Sequence, residues 1–262
     1  MKSKINNLKL LISNNKTVIE NYFFMTVLQI VNSFFYLLIY PYLIRSLGGE
    51  AYGTFIFATS IITYFIFLIN FGFDFPAVKY AVLNISNNVK LEKLLSNIFT
   101  SKIILFILSF FIIIILSEFI TFLEENFLLI MICYSQVIYH ILLPQWLFQA
   151  LQKMKIITYI QLVTKFLSLP VIILFVNDKD DLIAYALIFS LTNILSGLFA
   201  FLFVYFNFNL KFKIAKFREI GIWFKEAFPF FLSNSAGVIK EQSIIIIIGS
   251  LFGMKEVAIY DL

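Results

Sequence analysis

The sequence predicts an all-α polytopic membrane protein with about seven transmembrane helices. Of its 262 residues, 61% are hydrophobic and only 13% are charged, and the mean hydropathy is +0.94. A soluble domain has about 45–50% apolar and about 25% charged residues, so this chain has too little polar surface to cover a globule in water. The composition excludes a soluble enzyme and a disordered chain, and leaves lipid as the solvent.

Seven apolar stretches are each long enough to cross a bilayer, which takes roughly 20 predominantly apolar residues in a helix. The first stretch follows a largely polar N-terminal tail and is longer than the apolar region of a signal peptide, so we do not expect it to be removed. The predicted spans are 19–44, 52–72, 99–117, 127–148, 156–176, 183–206 and 227–251.

The lysines and arginines are concentrated in alternate loops between these spans. The N-terminal tail, the loops at 73–98 and 149–155, the segment 207–226 and Lys102 together hold 15 of the 20 basic residues. The positive-inside rule therefore predicts a cytoplasmic N-terminus. The same partition accounts for the net charge of +5, so we expect no nucleic-acid partner.

The spans and loops divide the chain into a cytoplasmic tail (1–18), a six-helix lobe (19–206), a basic cytoplasmic loop (207–226) and a seventh helix (227–262). Because every loop is short, no soluble domain is expected to hold an active site. The sequence contains no HExxH, GxSxG or P-loop pattern, and its single cysteine, Cys133, lies in an apolar run. We therefore predict that the chain is not an enzyme and needs neither a cofactor nor a metal.

Polar side chains recur at helical spacing within most of the apolar spans. In lipid, apolar side chains gain little from packing on one another, so polar stripes are the informative feature. Such a stripe either joins neighbouring helices or lines a shared polar cavity. Stripes on five of the seven spans favour the cavity. The residues predicted to line it are Gln29, Asn32, Tyr36, Asn70, Gln161, Asn193 and Asn234.

Two lysines, Lys165 and Lys240, lie near the middle of predicted spans. A charged side chain at that depth is costly unless it is paired or faces water. One hypothesis is that the two cations bind an anionic substrate near the midplane of a transporter. The alternative is a fixed ion pair between one of them and Glu241.

Three ionisable residues form a predicted ion-coupling or ion-pair set, namely Glu241, Asp74 and His140. His140 lies within the fourth span, where it either makes an interhelical hydrogen bond or acts in a proton relay. Asp74 is the carboxylate of the six-helix lobe that a drug or cation antiporter would need for ion coupling. Its position at the cytoplasmic edge of the second span argues against that alternative function.

Two segments carry the motifs of a known family. Residues 40–53 read YPYLIRSLGGEAYG and residues 144–159 read PQWLFQALQKMKIITY. Both resemble the bacterial polysaccharide repeat-unit flippases of the Wzx type, which have a PYLxRxLGxxx(Y/F)G turn after the first helix and a PxWxFQGx(E/Q)xM signature after the fourth. In such a protein the glycine pair would form a tight turn, and Trp146 would serve as an interfacial anchor.

The resemblance implies a transporter of the multidrug/oligosaccharidyl-lipid/polysaccharide (MATE-like) superfamily. In that superfamily two six-helix lobes enclose a cavity and rock so that it opens alternately to the two sides of the membrane. It implies a multi-pass protein of the bacterial cytoplasmic (inner) membrane that flips an undecaprenyl-pyrophosphate-linked oligosaccharide for O-antigen, lipopolysaccharide or another surface polysaccharide. Membrane lipid and other polysaccharide-assembly membrane proteins would be its partners. Lys165 and Lys240 would hold the pyrophosphate, with Arg45 and Lys79 as further candidates. The alternative is that Arg45 is only a residue of the turn at the outer end of the span, and that Lys79 is only one of the cytoplasmic charges that set the topology.

A weak internal sequence repeat extends the resemblance. Residues 44–52 read IRSLGGEAY and residues 248–260 read IGSLFGMKEVAIY. The seventh helix thus resembles the first helix of a second, parallel copy of the lobe. On this interpretation we expect the chain to be a truncated form, with one complete lobe and the first helix of the next. A membrane enzyme of the same pathway is a third hypothesis, disfavoured by the short external loops.

Overall fold

The seven apolar stretches form seven helical segments that are long and apolar enough to span a membrane. The computed structural model describes residues 16–261, and this range consists of helices joined by turns and irregular segments, without a β-strand. The predicted all-α polytopic membrane fold is therefore confirmed. A short 3-10 turn lies at Lys179–Asp181. In chain order the helices are α1 (Lys16–Ser46), α2 (Gly48–Asn70), α3 (Asp74–Leu83), α4 (Asn88–Ser117), α5 (Thr121–Glu125), α6 (Phe127–Ser135), α7 (Val137–Leu142), α8 (Gln145–Ala150), α9 (Met154–Phe175), α10 (Leu182–Asn207), α11 (Phe217–Phe252) and α12 (Met254–Tyr260).

Two helices extend well beyond the apolar stretches that predicted them. α4 starts at Asn88 and α11 at Phe217, each about three turns before the predicted span. The side chain of Asn87 caps α4, because it accepts a hydrogen bond from the Lys90 N–H at 3.1 Å. An apolar window marks only the part of a helix that suits the bilayer, so it misses such polar extensions.

The central helix of the bundle is α2, which contacts α1, α4, α6, α7, α10, α11 and α12. Its approach to α12 depends on Gly53, because a Cβ there would overlap the carbonyl oxygen of Met254. In α11 a Cβ on Gly249 would likewise overlap the ring of Phe57. Small residues let membrane helices approach closely, so these two glycines place α11 and α12 against α2.

The turn from α2 to α3 forms a second contact with α11. Phe71 and Gly72 have positive φ angles of 43° and 71°, and the Phe71 ring stacks on Phe231 of α11 at 4.6 Å. A Cβ on Gly72 would lie 2.9 Å from the backbone nitrogen of Phe231. Glycine is thus required here both by the left-handed backbone and by the close approach of α11.

The fourth predicted span is divided into α6, α7 and α8. The break before α8 falls at Pro144, which has no N–H to donate to a helix. Trp146 of α8 was expected at the membrane interface, but its side chain is only 1% exposed. The expectation was wrong because α8 packs against α3 and the ring is enclosed. Cys133, for which an apolar run predicts either a buried or a lipid-facing position, is buried.

The segment that joins α10 to α11 runs in an extended conformation along α4. Three of its backbone N–H groups donate to side chains of α4 that are four residues apart. Alternate residues of an extended chain advance about 6.6 Å, and four residues of a helix advance about 6 Å, so the two repeats match. The pairs are Lys211 with Glu92 Oε1 at 3.0 Å, Lys213 with Ser96 Oγ at 2.9 Å and Ala215 with Thr100 Oγ1 at 3.1 Å.

Removal of these three acceptors is expected to release the joining segment. In the triple variant Glu92→Ala, Ser96→Ala and Thr100→Ala, trypsin should cleave after Lys211 and Lys213 roughly tenfold faster or more, because each hydrogen bond contributes about 1 kcal/mol. The measurement is the cleavage rate of the detergent-solubilised full-length protein. Ser101→Ala is the control, since its hydroxyl bonds within α4 to the Asn97 carbonyl. Equal cleavage rates in the triple variant and the unmodified protein would contradict this account.

Candidate functional site

A cavity of about 740 Å³, here called the central cavity, lies in the part of the bundle nearest the α1–α2 turn. Its walls come from α1, α2, α10, α11 and the junction of α6 with α7. Within residues 16–261, no lysine or arginine lines it. Its polar and tyrosine lining comprises Ser33, Tyr36, Tyr40, Tyr52, Thr59, Ser60, Thr63, Gln136, Tyr185, Gln242 and Asp261.

Helical spacing brings the lining side chains of α1 and α2 onto one wall. Ser33, Tyr36 and Tyr40 follow one another at steps of three and four residues, which is one face of α1. Pro41 lies inside α1 and leaves the Leu37 carbonyl without its usual donor four residues ahead. Both Leu37 and Pro41 line the cavity, so this gap in the helical hydrogen bonds lies at its wall.

The aromatic side chains of the cavity pack edge to face. The rings of Tyr40 and Tyr52 are 5.4 Å apart and at 84°, and those of Phe55 and Tyr185 are 4.8 Å apart and at 64°. The Tyr52 hydroxyl donates to the Asp261 carboxylate at 2.8 Å. Tyrosine presents an apolar face and a polar tip, so this wall can contact the faces of a ring and hydrogen-bond its substituents.

Gln136 lines the cavity and holds an unpaired donor just beneath its wall. It is buried at the junction of α6 and α7, and its amide nitrogen has no hydrogen-bond partner among the described residues. Buried polar groups are nearly always paired, and this one belongs to a residue that lines the cavity, so a small rotation of the amide would bring an unpaired donor to a ligand. Gln136 was not among the residues that the polar stripes predicted to line a cavity.

Lys165 lies beside the central cavity, on the far side of a lining ring. Its ammonium group donates to Asn32 Oδ1 at 2.7 Å and stands 5.5 Å and 5.7 Å from the ring centroids of Phe35 and Tyr36. Cation–π contacts of this kind stabilise a partly desolvated cation. Three residues singled out in the sequence, Lys165, Asn32 and Tyr36, are thus brought together. Binding of an anion by Lys165 stays a prediction.

Lys240 lies on a different face of α11 from the cavity. Gln242 and Ile245 line the cavity, and Lys240 precedes Gln242 by two residues, which is about 200° around a helix. Lys240 and Glu241 are both exposed. In residues 16–261 there is no ion pair between Glu241 and either Lys240 or Lys165. The roles predicted for Lys240 and Glu241 therefore stay predictions.

A second polar cluster, here called the Lys102 cluster, consists of Asn70, Lys102 and His140. The Lys102 ammonium donates to Asn70 Oδ1 at 3.0 Å and to the His140 carbonyl at 2.9 Å. The Asn70 amide nitrogen is 3.5 Å from His140 Nδ1. The sequence counted Lys102 with the cytoplasmic charges, but it is only 3% exposed. Its predicted place at the start of the helix was wrong, because α4 begins at Asn88 and Lys102 lies in the middle of the helix.

The other predicted site residues lie apart from the central cavity. Of the seven predicted lining residues, all of them described, Tyr36 alone lines it. Gln161 donates to the Tyr139 hydroxyl at 2.8 Å and Asn193 to its own helix at Phe189, 3.1 Å away. No cluster of metal-ligating side chains occurs in the described part of the chain. The remaining positions are Gln29, Arg45, Lys79 and Asn234, which are exposed, and Asp74, which is half-buried at the start of α3.

Comparison with known proteins identifies relatives of the chain. A family model described as "Polysaccharide biosynthesis protein" matches residues 18–262. The chain is 24% identical over 249 residues to a protein of Escherichia coli (strain K12) named "Putative O-antigen transporter". That match covers 95% of this chain and 60% of the relative, so the chain spans less than two thirds of its length. No solved structure matches significantly. The family match confirms the resemblance that the motifs in residues 40–53 and 144–159 indicated.

Proposed function

The chain belongs to the family of polysaccharide biosynthesis proteins, and on that premise we propose that it is part of a flippase for a lipid-linked oligosaccharide. The substrate would be an undecaprenyl-pyrophosphate-linked repeat unit, which moves from the cytoplasmic to the outer leaflet of the bacterial inner membrane by alternating access. No covalent bond is made or broken in this process. The relative from Escherichia coli, named as an O-antigen transporter, supports transport as the activity.

The observation that carries the proposal is the chemistry of the central cavity. Four tyrosines, several hydroxyls, two glutamine side chains and the Asp261 carboxylate line it, without a lysine or arginine from the described residues. Aromatic faces bind the apolar faces of sugar rings, and hydroxyls and amides match sugar hydroxyls. Its volume of about 740 Å³ lies within the range of about 300–1,000 Å³ that is usual for ligand pockets. The cavity thus suits neutral sugar residues.

Lys165 fits a second part of the same substrate. Its ammonium group lies behind the Tyr36 ring and makes its short hydrogen bond to a neutral amide, that of Asn32. A cation that lacks a carboxylate partner can accept an anion without first breaking an ion pair. We place the sugars in the central cavity and the pyrophosphate towards Lys165, with the prenyl chain in lipid.

A bulky side chain in the central cavity is expected to block export. Thr63→Phe fills part of the cavity, since Thr63 lines it. Cells that carry full-length Thr63→Phe as their sole copy should lose most of their surface polysaccharide and accumulate lipid-linked repeat units. Both quantities are measured by glycan labelling and by lipid extraction.

The matched control for this test is Thr26→Phe, because Thr26 is exposed on α1 and bonds only to its own helix at Tyr22. Export by this variant should equal that of the unmodified protein at equal protein level. Normal export by Thr63→Phe would refute the assignment of the central cavity to the glycan.

A further inference from the structure

The Lys102 ammonium is buried without a carboxylate. Its side chain is 3% exposed, and among residues 16–261 the ion pair within 4.0 Å is that of Lys93 with Glu219. Asp74 acts on Lys102 electrostatically from a greater distance, but it stands in the first turn of α3, where a carboxylate also stabilises the helix N-terminus. Since an unpaired buried charge is expensive, another source of negative charge must stabilise Lys102.

One source is the carbonyl group of His140. In a continuous helix the N–H of the residue four positions ahead would donate to it, but that residue is Pro144 and has no N–H. α7 therefore ends at Leu142 with the His140 carbonyl free for another donor. Lys102 takes the place of the missing donor, at 2.9 Å.

The second source is the end of α2. Asn70 is its last residue, because Phe71 turns the chain with a left-handed backbone. Its side-chain oxygen accepts from Lys102 at 3.0 Å. A helix C-terminus carries a partial negative charge, so the ends of α2 and α7 add to the negative potential around the Lys102 ammonium.

We propose that Asn70, the His140 carbonyl and the C-terminal ends of α2 and α7 form a site for a monovalent cation, which Lys102 fills with its own ammonium group. Oxygen ligands and helix C-terminal ends are the groups that bind small hard cations at broken membrane helices. A tethered ammonium occupies the site permanently, so this part of the protein needs no free cation. It also joins α4 to the two places where α2 and α7 break.

Removal of the tethered ammonium tests the site directly. In Lys102→Ala the two oxygens and helix ends remain, but the cation is gone. We expect its unfolding midpoint in choline chloride to fall by about 5 °C or more relative to the unmodified full-length protein. Choline is too large to enter the site. Methylammonium or Na⁺ at equal ionic strength should restore much of the loss, and the midpoint should rise with cation concentration, as for a bound ligand.

The matched control is Lys90→Ala, because Lys90 is exposed near the start of the same helix. Neither this variant nor the unmodified protein should respond to exchange of choline for methylammonium or Na⁺. The proposal is overturned if Lys102→Ala is as stable as the unmodified protein in choline chloride. A loss that methylammonium, Na⁺ and K⁺ all fail to reverse overturns it as well.

A second variant keeps the test decisive if Lys102→Ala does not fold in any of these salts. Lys102→Gln retains a hydrogen-bonding head of similar reach and loses the charge. We expect its unfolding midpoint to lie several degrees below that of the unmodified protein. Added cations should not change this midpoint, because the glutamine amide fills the space. A midpoint equal to that of the unmodified protein would show that the site does not need a cation, and would overturn the proposal.

Discussion

Replacement of Gly53 by alanine is expected to lower the unfolding midpoint of the full-length protein by about 3–10 °C. The added Cβ would overlap the carbonyl oxygen of Met254 and lie 3.3 Å from the backbone nitrogen of Ala258. Both neighbours are backbone atoms of the segment that packs on α2, so no side chain can turn aside. α12 would have to move away from α2, and with it Asp261, which follows α12 and lines the central cavity. Thermal unfolding in detergent measures the effect.

The control for this substitution is Gly237→Ala in α11, where an added Cβ meets no atom within 4 Å. Alanine is about 1 kcal/mol better than glycine in a helix interior, so this variant should be as stable as the unmodified protein or more stable. If Gly53→Ala behaves like Gly237→Ala, α12 does not pack on α2 as described.

Replacement of Lys165 by methionine is expected to reduce export of surface polysaccharide about tenfold or more. Methionine keeps much of the length and apolar volume but removes the ammonium that lies beside the central cavity. Loss of one buried charged contact costs about 2–5 kcal/mol, and each 1.4 kcal/mol is a factor of ten. The measurement is surface glycan per cell, normalised to the amount of full-length protein in the membrane.

Lys155→Met serves as the matched control in the same helix. Lys155 is exposed near the start of α9, where its ammonium lies over the rings of Phe24 and Tyr159. Its loss should leave export unchanged, whereas Lys165→Arg should retain part of the activity because the charge remains. Normal export by Lys165→Met would remove Lys165 from the substrate site without affecting the assignment of the cavity to sugars.

Hydropathy was sufficient to locate the spans, because apolar length is a property of each segment by itself. All seven predicted spans coincide with helices. It was not sufficient to find helix ends in polar sequence. Lys102 shows the consequence, since it was placed at the start of the predicted span, whereas the helix begins about three turns before that span, at Asn88. The division of the chain into a lobe and a first helix of a second lobe stays a prediction, as does the cytoplasmic N-terminus.

The candidate site was less predictable because it depends on which face of each helix its neighbours cover. A polar stripe identifies a face but not what packs against it. Tyr36 fell on the central cavity, whereas Asn193 bonds within its own helix and Asn234 is exposed. On α11 the residues facing the cavity, Gln242 and Ile245, lie two and five positions after Lys240, the residue that charge alone had singled out. Pro144 predicts a helix break that leaves the His140 carbonyl without its usual donor. The sequence does not show that Lys102 donates to this carbonyl instead.

The central claim is that the cavity of this protein family member carries a lipid-linked glycan across the membrane. The most direct measurement is the rate at which a labelled lipid-linked oligosaccharide becomes accessible to a glycan-modifying enzyme outside proteoliposomes that hold the purified full-length protein. The account predicts transfer well above that of protein-free liposomes, with Thr63→Phe close to the protein-free rate and Thr26→Phe unaffected. Transfer no faster than in protein-free liposomes, or equally fast with Thr63→Phe, would contradict it.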